Sequence, residues 1–165
     1  MPSPERFLGA AIHSFVAMVL TSAVLTFTFS RLDFDNNPII NYYGYNHLCI
    51  LFDTAPSTYV TPIFWFFVAY LIVRFAVEDT KRLMQMKHIS TNLRRVSYGA
   101  NVFLVAVAAT FSLVLAIGPE ENMFIHSIPF VGLMIAMPLV FVMHCFQDQK
   151  RKTIFVVGCT VFMTV

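Results

Sequence analysis

Charge is scarce in this chain. Asp, Glu, Lys and Arg make up 12% of its 165 residues, about half of the share that a soluble domain carries. No Asp, Glu, Lys or Arg lies at the centre of a long apolar run, so the intramembrane charges of proton relays and ion paths are missing. Cysteine is sparse as well. Cys49, Cys145 and Cys159 have no metal-ligand or redox spacing and imply no disulfide framework. There is no Asn-x-Ser/Thr glycosylation acceptor, no glycine-rich phosphate loop and no Gly-x-Ser-x-Gly elbow, which removes the usual signatures of nucleotide and serine-hydrolase chemistry. A single tryptophan, Trp65, sits near the start of an apolar run, where a membrane-interface belt would put it.

What fills the chain is hydrocarbon. Hydrophobic residues make up 58%, with 18 Phe and 9 Met, and the mean hydropathy is +0.70. A water-soluble fold of this composition would expose far too much apolar surface. Four runs are long enough, at about 1.5 Å per helical residue, to cross a hydrocarbon layer of about 30 Å. They cover residues 7–29, 60–77, 97–117 and 123–146. The expected fold is therefore all-α, a polytopic integral membrane protein forming one helical domain. The opening residues do not read as a cleaved targeting segment. Ser3, Pro4 and Glu5 are suited to the cap, the first position and the first turn of helix one. Gly9, Ala10, Ala11, Ala17 and Ala23 give that helix small surfaces for close packing. Pro138 lies mid-span in the fourth run and should kink it. The last apolar run, 153–165, has 13 residues, about 20 Å of helix, which is too short to cross. It reads as a fifth span cut after Val165, or as a half-span or surface helix.

The connections alternate in charge. The stretch 31–59 is acidic and rich in Tyr, Asn and Pro, and the turn 118–122 carries Glu120 and Glu121. The connection 74–95 holds Arg74, Lys81, Arg82, Lys87, Arg94 and Arg95 against Glu78 and Asp79, and Lys150, Arg151 and Lys152 follow the fourth run. The positive-inside rule then puts the amino terminus on the cytoplasmic side. Tyr43, Tyr45 and Tyr59 suit interfacial anchors, and the apolar patch 48–52 suggests a loop lying on the membrane surface. The basic residues flank apolar runs instead of forming a polar face, so nucleic acid is excluded as a partner. Lys81, Arg82, Lys87, Arg94 and Arg95 are candidate contacts for anionic lipid or for a partner protein.

Four residues could meet at the far side as a lipid-headgroup site: Asp53 and Ser57 from the long connection, Glu121 and His126 from the next turn. Histidine offers a second possibility. His13 and His144 should lie near one end of the bundle and His47 and His126 near the other, with His126 and His144 separated by 18 residues, about 27 Å of helix. Facing histidines can ligate haem, which makes His13 and His144 haem-ligand candidates. Interfacial hydrogen bonding explains the same positions more simply, so no metal or cofactor is expected beyond structural lipids. His88 lies in the basic connection.

Two stretches bear on family. DTAPSTYVTPIFW, 53–65, leads from the long connection into the second run. NVFLVAVAATFSLVLAIGPEENMFIH, 101–126, opens a span with Asn and ends it in a short acidic turn and an Ile-His pair. In these two places the chain resembles the Frag/DRAM/Sfk group of polytopic membrane proteins. That resemblance implies six spans, with Asp53, Ser57, Glu121 and His126 as the marked positions. It also implies a regulatory role or one in remodelling lipids such as those of GPI anchors. From the residues alone, the leading expectation is a non-catalytic membrane subunit that packs against other membrane protein subunits and lipid.

Overall fold

The computed structural model describes residues 3–46 and 48–147. His47, Cys159, the basic residues 150–152 and the apolar run 153–165 lie outside the described residues. Seven helices account for the fold, and no strand occurs among the described residues. Four of them are long and apolar enough to cross a membrane: α1 (Pro4–Phe29), α4 (Ser57–Gln85), α5 with its short continuation α6 (Thr91–Thr110 and Ser112–Ala116), and α7 (Pro119–Gln147). Each extends a few residues beyond the apolar run that marks it in the sequence, because polar helix ends outside the hydrocarbon-rich stretch still satisfy their backbone bonds internally.

Helix α1 begins as its sequence suggests, with Ser3 extended at the cap position and Pro4 in the first turn. The Ser3 side chain makes no capping bond, and Glu5 is committed elsewhere. One stripe of α1, Leu8, Ala11, Met18, Ser22 and Thr26, is buried against α4, while Leu20, Val24 and Phe27 are exposed on the other side. The spacing of three, four or seven residues is that of a single helical face. The matching stripe on α4 includes Thr61, Trp65, Val68, Ile72 and Phe75. Close approach brings polar groups together: the hydroxyls of Ser22 and Thr61 lie 2.9 Å apart, a bond across helices where a bond back to the helix's own carbonyl is the commoner use of Ser and Thr.

Helices α4 and α5 are neighbours, as are α5 and α7. The short connection between the last two forces the antiparallel return that its length implies. Gly132 makes that contact tight, since a Cβ there would lie 3.3 Å from both methyl carbons of Val107. In α7 the backbone departs from helical angles at Asn122 (φ −158°, ψ 93°), whereas Pro129 and Pro138 sit within helical backbone. The Asn122 side chain accepts from the Ile125 amide at 3.0 Å and so caps the main helix where the apolar run begins.

Two sequence expectations are corrected. Trp65 is buried against Phe111, with ring centroids 4.0 Å apart, and is a core residue, not an interfacial belt residue. The patch around residues 49–52 does not lie flat on a surface. Cys49, Ile50, Leu51 and Phe52 are all buried, because α3 (Ile50–Asp53) turns in between α1 and α4. Thr26 Oγ1 and Ser57 Oγ both donate to the Leu51 carbonyl, at 3.0 and 2.5 Å. The preceding α2 (Pro38–Tyr43) is held by Asn37, whose side chain accepts from the amides of Ile39 and Ile40. It ends at Gly44 with φ 79°, a left-handed turn that glycine adopts without strain.

Because Gly132 sets the α5–α7 distance, Gly132→Leu is expected to destabilise the detergent-solubilised protein by about 1–3 kcal/mol, the usual cost of overpacking. Gly132→Ala should cost less. The check is the shift in thermal midpoint of the two variants. No loss for the leucine variant would show that this contact does not hold the helices together.

Candidate functional site

Ionisable side chains gather at the two ends of the bundle. At the first, Asp53 closes α3 and His126 stands one turn into the main part of α7. His126 is fully buried. Its Nδ1 lies 2.7 Å from the Ile117 carbonyl, so that nitrogen carries the proton and donates. Its Nε2 faces Asp53 Oδ2 at 3.4 Å, an ion-pair distance that falls short of hydrogen-bond geometry. The ring thus ties α3 to the end of α6 and to α7. Burial raises the Asp53 carboxyl above its ordinary value, and the neighbouring His126 opposes that rise.

Beside Asp53 is a cavity of about 240 Å³, whose polar lining includes Asn37, Thr54, Thr58 and Glu120. Of the four residues expected to share a headgroup site, the fold therefore joins Asp53 and His126 but not the other two. Ser57 is fully buried and its hydroxyl is committed to the Leu51 carbonyl. Glu121 is exposed, and Glu120 takes the place beside the cavity. Both acids are exposed, and the helical turn 119–121 before the break at Asn122 decides which of them reaches the cavity's rim.

The second end holds a denser cluster, which sequence reasoning did not assemble. Arg82 lies at its centre. Nη1 donates to Glu5 at 2.6 Å, and Nη2 reaches Asp79 at 2.8 Å and Gln147 at 2.6 Å. Nη2 is also 2.8 Å from His144 Nδ1. The same Nδ1 lies 3.2 Å from Asp79 Oδ1, and Nε2 lies 3.2 Å from Glu5 Oε1, so the imidazole is wedged between the guanidinium and both carboxylates. Asn101 of α5 donates to the second Asp79 oxygen at 2.9 Å. One residue or more from each of α1, α4, α5 and α7 is engaged. The i,i+3 pairs Asp79/Arg82 and His144/Gln147 were the available signal: each puts two polar side chains on one helical face at the edge of an apolar run.

This cluster corrects two expectations. Arg82 is not a lipid or partner contact in a loop, because it lies inside α4 with its side chain 24% exposed. His13 and His144 are not a facing ligand pair. His13 is exposed and within hydrogen-bond distance of the Gly9 carbonyl of its own helix, at 2.7 Å, while His144 is buried in the cluster. Among the other basic candidates, Lys87 and Arg95 are exposed, Arg94 donates to the Met86 carbonyl at 2.6 Å, and Lys81 pairs with Glu78 at 2.9 Å. Arg74 and Glu78, four residues apart, pair at 3.7 Å, and the Arg74 guanidinium lies 5.1 Å from the centre of the Phe7 ring. Among the described residues no group of three His, Cys, Asp or Glu side chains is arranged to hold a metal ion.

No family model matches the chain, and no curated protein or solved structure does.

Asp79 is buried and Arg82 is its half-buried partner, so removing the guanidinium leaves a buried carboxylate uncompensated, which costs about 3 kcal/mol, the low end for a buried pair. Arg82→Ala should therefore destabilise the protein by about that amount, and Arg82→Lys by less but still clearly, since an ammonium cannot fork to Glu5 and Asp79 together. Thermal unfolding in detergent measures both. A silent Arg82→Ala would mean that these contacts do not hold the helices together.

Proposed function

We propose that the chain is an integral membrane protein with its amino terminus on the cytoplasmic side. Its work, on this proposal, is non-catalytic: it packs against lipid and partner membrane proteins within a larger assembly. The observation that carries this reading is the use of the ionisable residues inside the long helices. His126, Asp79, Arg82 and His144 are engaged in contacts that fasten one element of the bundle to another. Their chemistry is spent on architecture, while exposed apolar side chains such as Leu20, Phe27, Phe66 and Met134 present the helices to hydrocarbon or to another helix. The orientation draws on the basic residues that flank the α4–α5 connection, against the acidic residues at the Asp53 end.

Native mass spectrometry of the full chain, released gently from its membrane, tests the assembly. The expected spectrum contains a defined complex with the chain at fixed stoichiometry. A chain released only as a free monomer would overturn the subunit reading.

A second reading, a lipid-handling protein of the Frag/DRAM/Sfk type, is favoured by one observation: Asp53 and His126 meet beside the cavity that Thr54, Thr58 and Glu120 help to line. On this reading Asp53→Asn removes a charged hydrogen-bond acceptor and lowers lipid retention roughly tenfold, the scale of one charge-assisted bond, with the thermal midpoint little changed. Full retention in Asp53→Asn and in His126→Gln would set the reading aside.

A further inference from the structure

The outer side of the α4–α5 pair carries a furrow of about 370 Å³ with Val77, Val102 and Val105 on its walls and Lys81, Thr80 and Tyr98 at its polar end. That volume falls within the range of about 300–1,000 Å³ usual for small-ligand sites. Both walls change character in the same direction. On α4 the exposed stripe runs from Val73 through Val77 to Lys81, and on α5 Val105, Val102, Tyr98 and Arg95 follow one another on one face. Since the helices are antiparallel and joined at residues 86–90, both basic ends lie toward that connection.

We propose that this furrow binds one anionic phospholipid, with the phosphate between Lys81 and Arg95, the Tyr98 hydroxyl donating to it, and an acyl chain along the valines. The proposal rests on the integral-membrane reading above and not on any protein partner.

Charge complementarity selects the occupant. Lys81 touches Glu78 at 2.9 Å, but the same carboxylate also faces Arg74 at 3.7 Å. The three together carry a net positive charge, and exposed Arg95 adds another. Glu78 is buried, with 9% of its side chain exposed, whereas Lys81 is 53% exposed, so the cation and not the acid is presented at the surface. A zwitterionic headgroup brings no net charge to such a rim, while an anionic one does. Along Ala76, Val77, Val102 and Val105 the lining suits an acyl chain better than water, while Thr80, Tyr98 and Asn101 add polar groups beside Lys81. On the proposed orientation the furrow opens to the cytoplasmic leaflet, where anionic lipids are concentrated.

The test uses the full chain in nanodiscs of phosphatidylcholine containing about one-tenth phosphatidylserine, with native mass spectrometry of the lipids retained after release. Phosphatidylserine should be enriched over its share of the disc. Each cation near a membrane surface is worth about fivefold in affinity, so Lys81→Gln should reduce the enrichment by about that factor, and the pair Lys81→Gln/Arg95→Gln should abolish it. Val102→Trp, which fills the furrow without touching charge, should lower retention of the lipid as a whole. Arg31→Gln, at the opposite end of the bundle, should change nothing. Enrichment that survives the double variant, or an absence of enrichment in the wild-type chain, would overturn the furrow site while leaving the membrane reading intact. Failure of the chain to enter nanodiscs at all would overturn both.

Discussion

Arg82 puts one guanidinium where four long helices converge. Its two terminal nitrogens reach Glu5 on α1, Asp79 on α4, and His144 and Gln147 on α7, and Asp79 passes the network on to Asn101 of α5. On the membrane reading proposed above, apolar side chains give the helices little reason to choose one another over lipid, so specificity comes from close packing and from polar contacts. The order of the helices depends on the cluster in that sense. The stripes of α1 and α4 could slide by a turn and still bury hydrocarbon. With Glu5 and Arg82 joined at 2.6 Å, a slide of one turn would separate a half-buried charge from its partner.

The opposite end solves the same problem with less charge. Leu51 accepts hydrogen bonds from Thr26 and Ser57, and His126 reaches both Ile117 and Asp53. Short helix α3 becomes a plug that closes the bundle between α1 and α4. The cavity beside Asp53 is then a consequence of that closure: where a four-residue helix meets the end of α6, the two do not fill the space between them. An imidazole whose two nitrogens already face a carbonyl and a carboxylate is held in one orientation by three segments of the chain.

Much of the fold is legible in the sequence, and the reasons are physical. Four apolar runs of sufficient length have few alternatives to helix, since helices satisfy their own backbone groups. The main part of α7 begins at Met123 because Asn122 caps it, and both residues are visible in the acidic turn. What was not legible required knowing which helix faces which. Trp65 reads as a belt residue until Phe111 is placed against it. Gly132 is one small residue among several until Val107 is found 3.3 Å from its missing Cβ. The site was half legible for the same reason. Asp53 and His126 can be paired by supposing that two connections share one side, but a one-residue rotation at the break before Met123 exchanges Glu121 for Glu120 at the cavity.

The two ends also differ in how they present charge at the surface. At the Arg82 end the anionic groups are turned inward and matched, while Lys81, Lys87 and Arg95 remain exposed. This sorting follows from cost. An unpaired carboxylate near an apolar run is costly to desolvate, whereas one held by Arg82 or by the Arg74–Lys81 pair contributes to the bundle. Lysine and arginine can extend along the helix and still reach the headgroups. The inward network and the outward basic rim are therefore one arrangement of charge, and the furrow between α4 and α5 lies where the two meet.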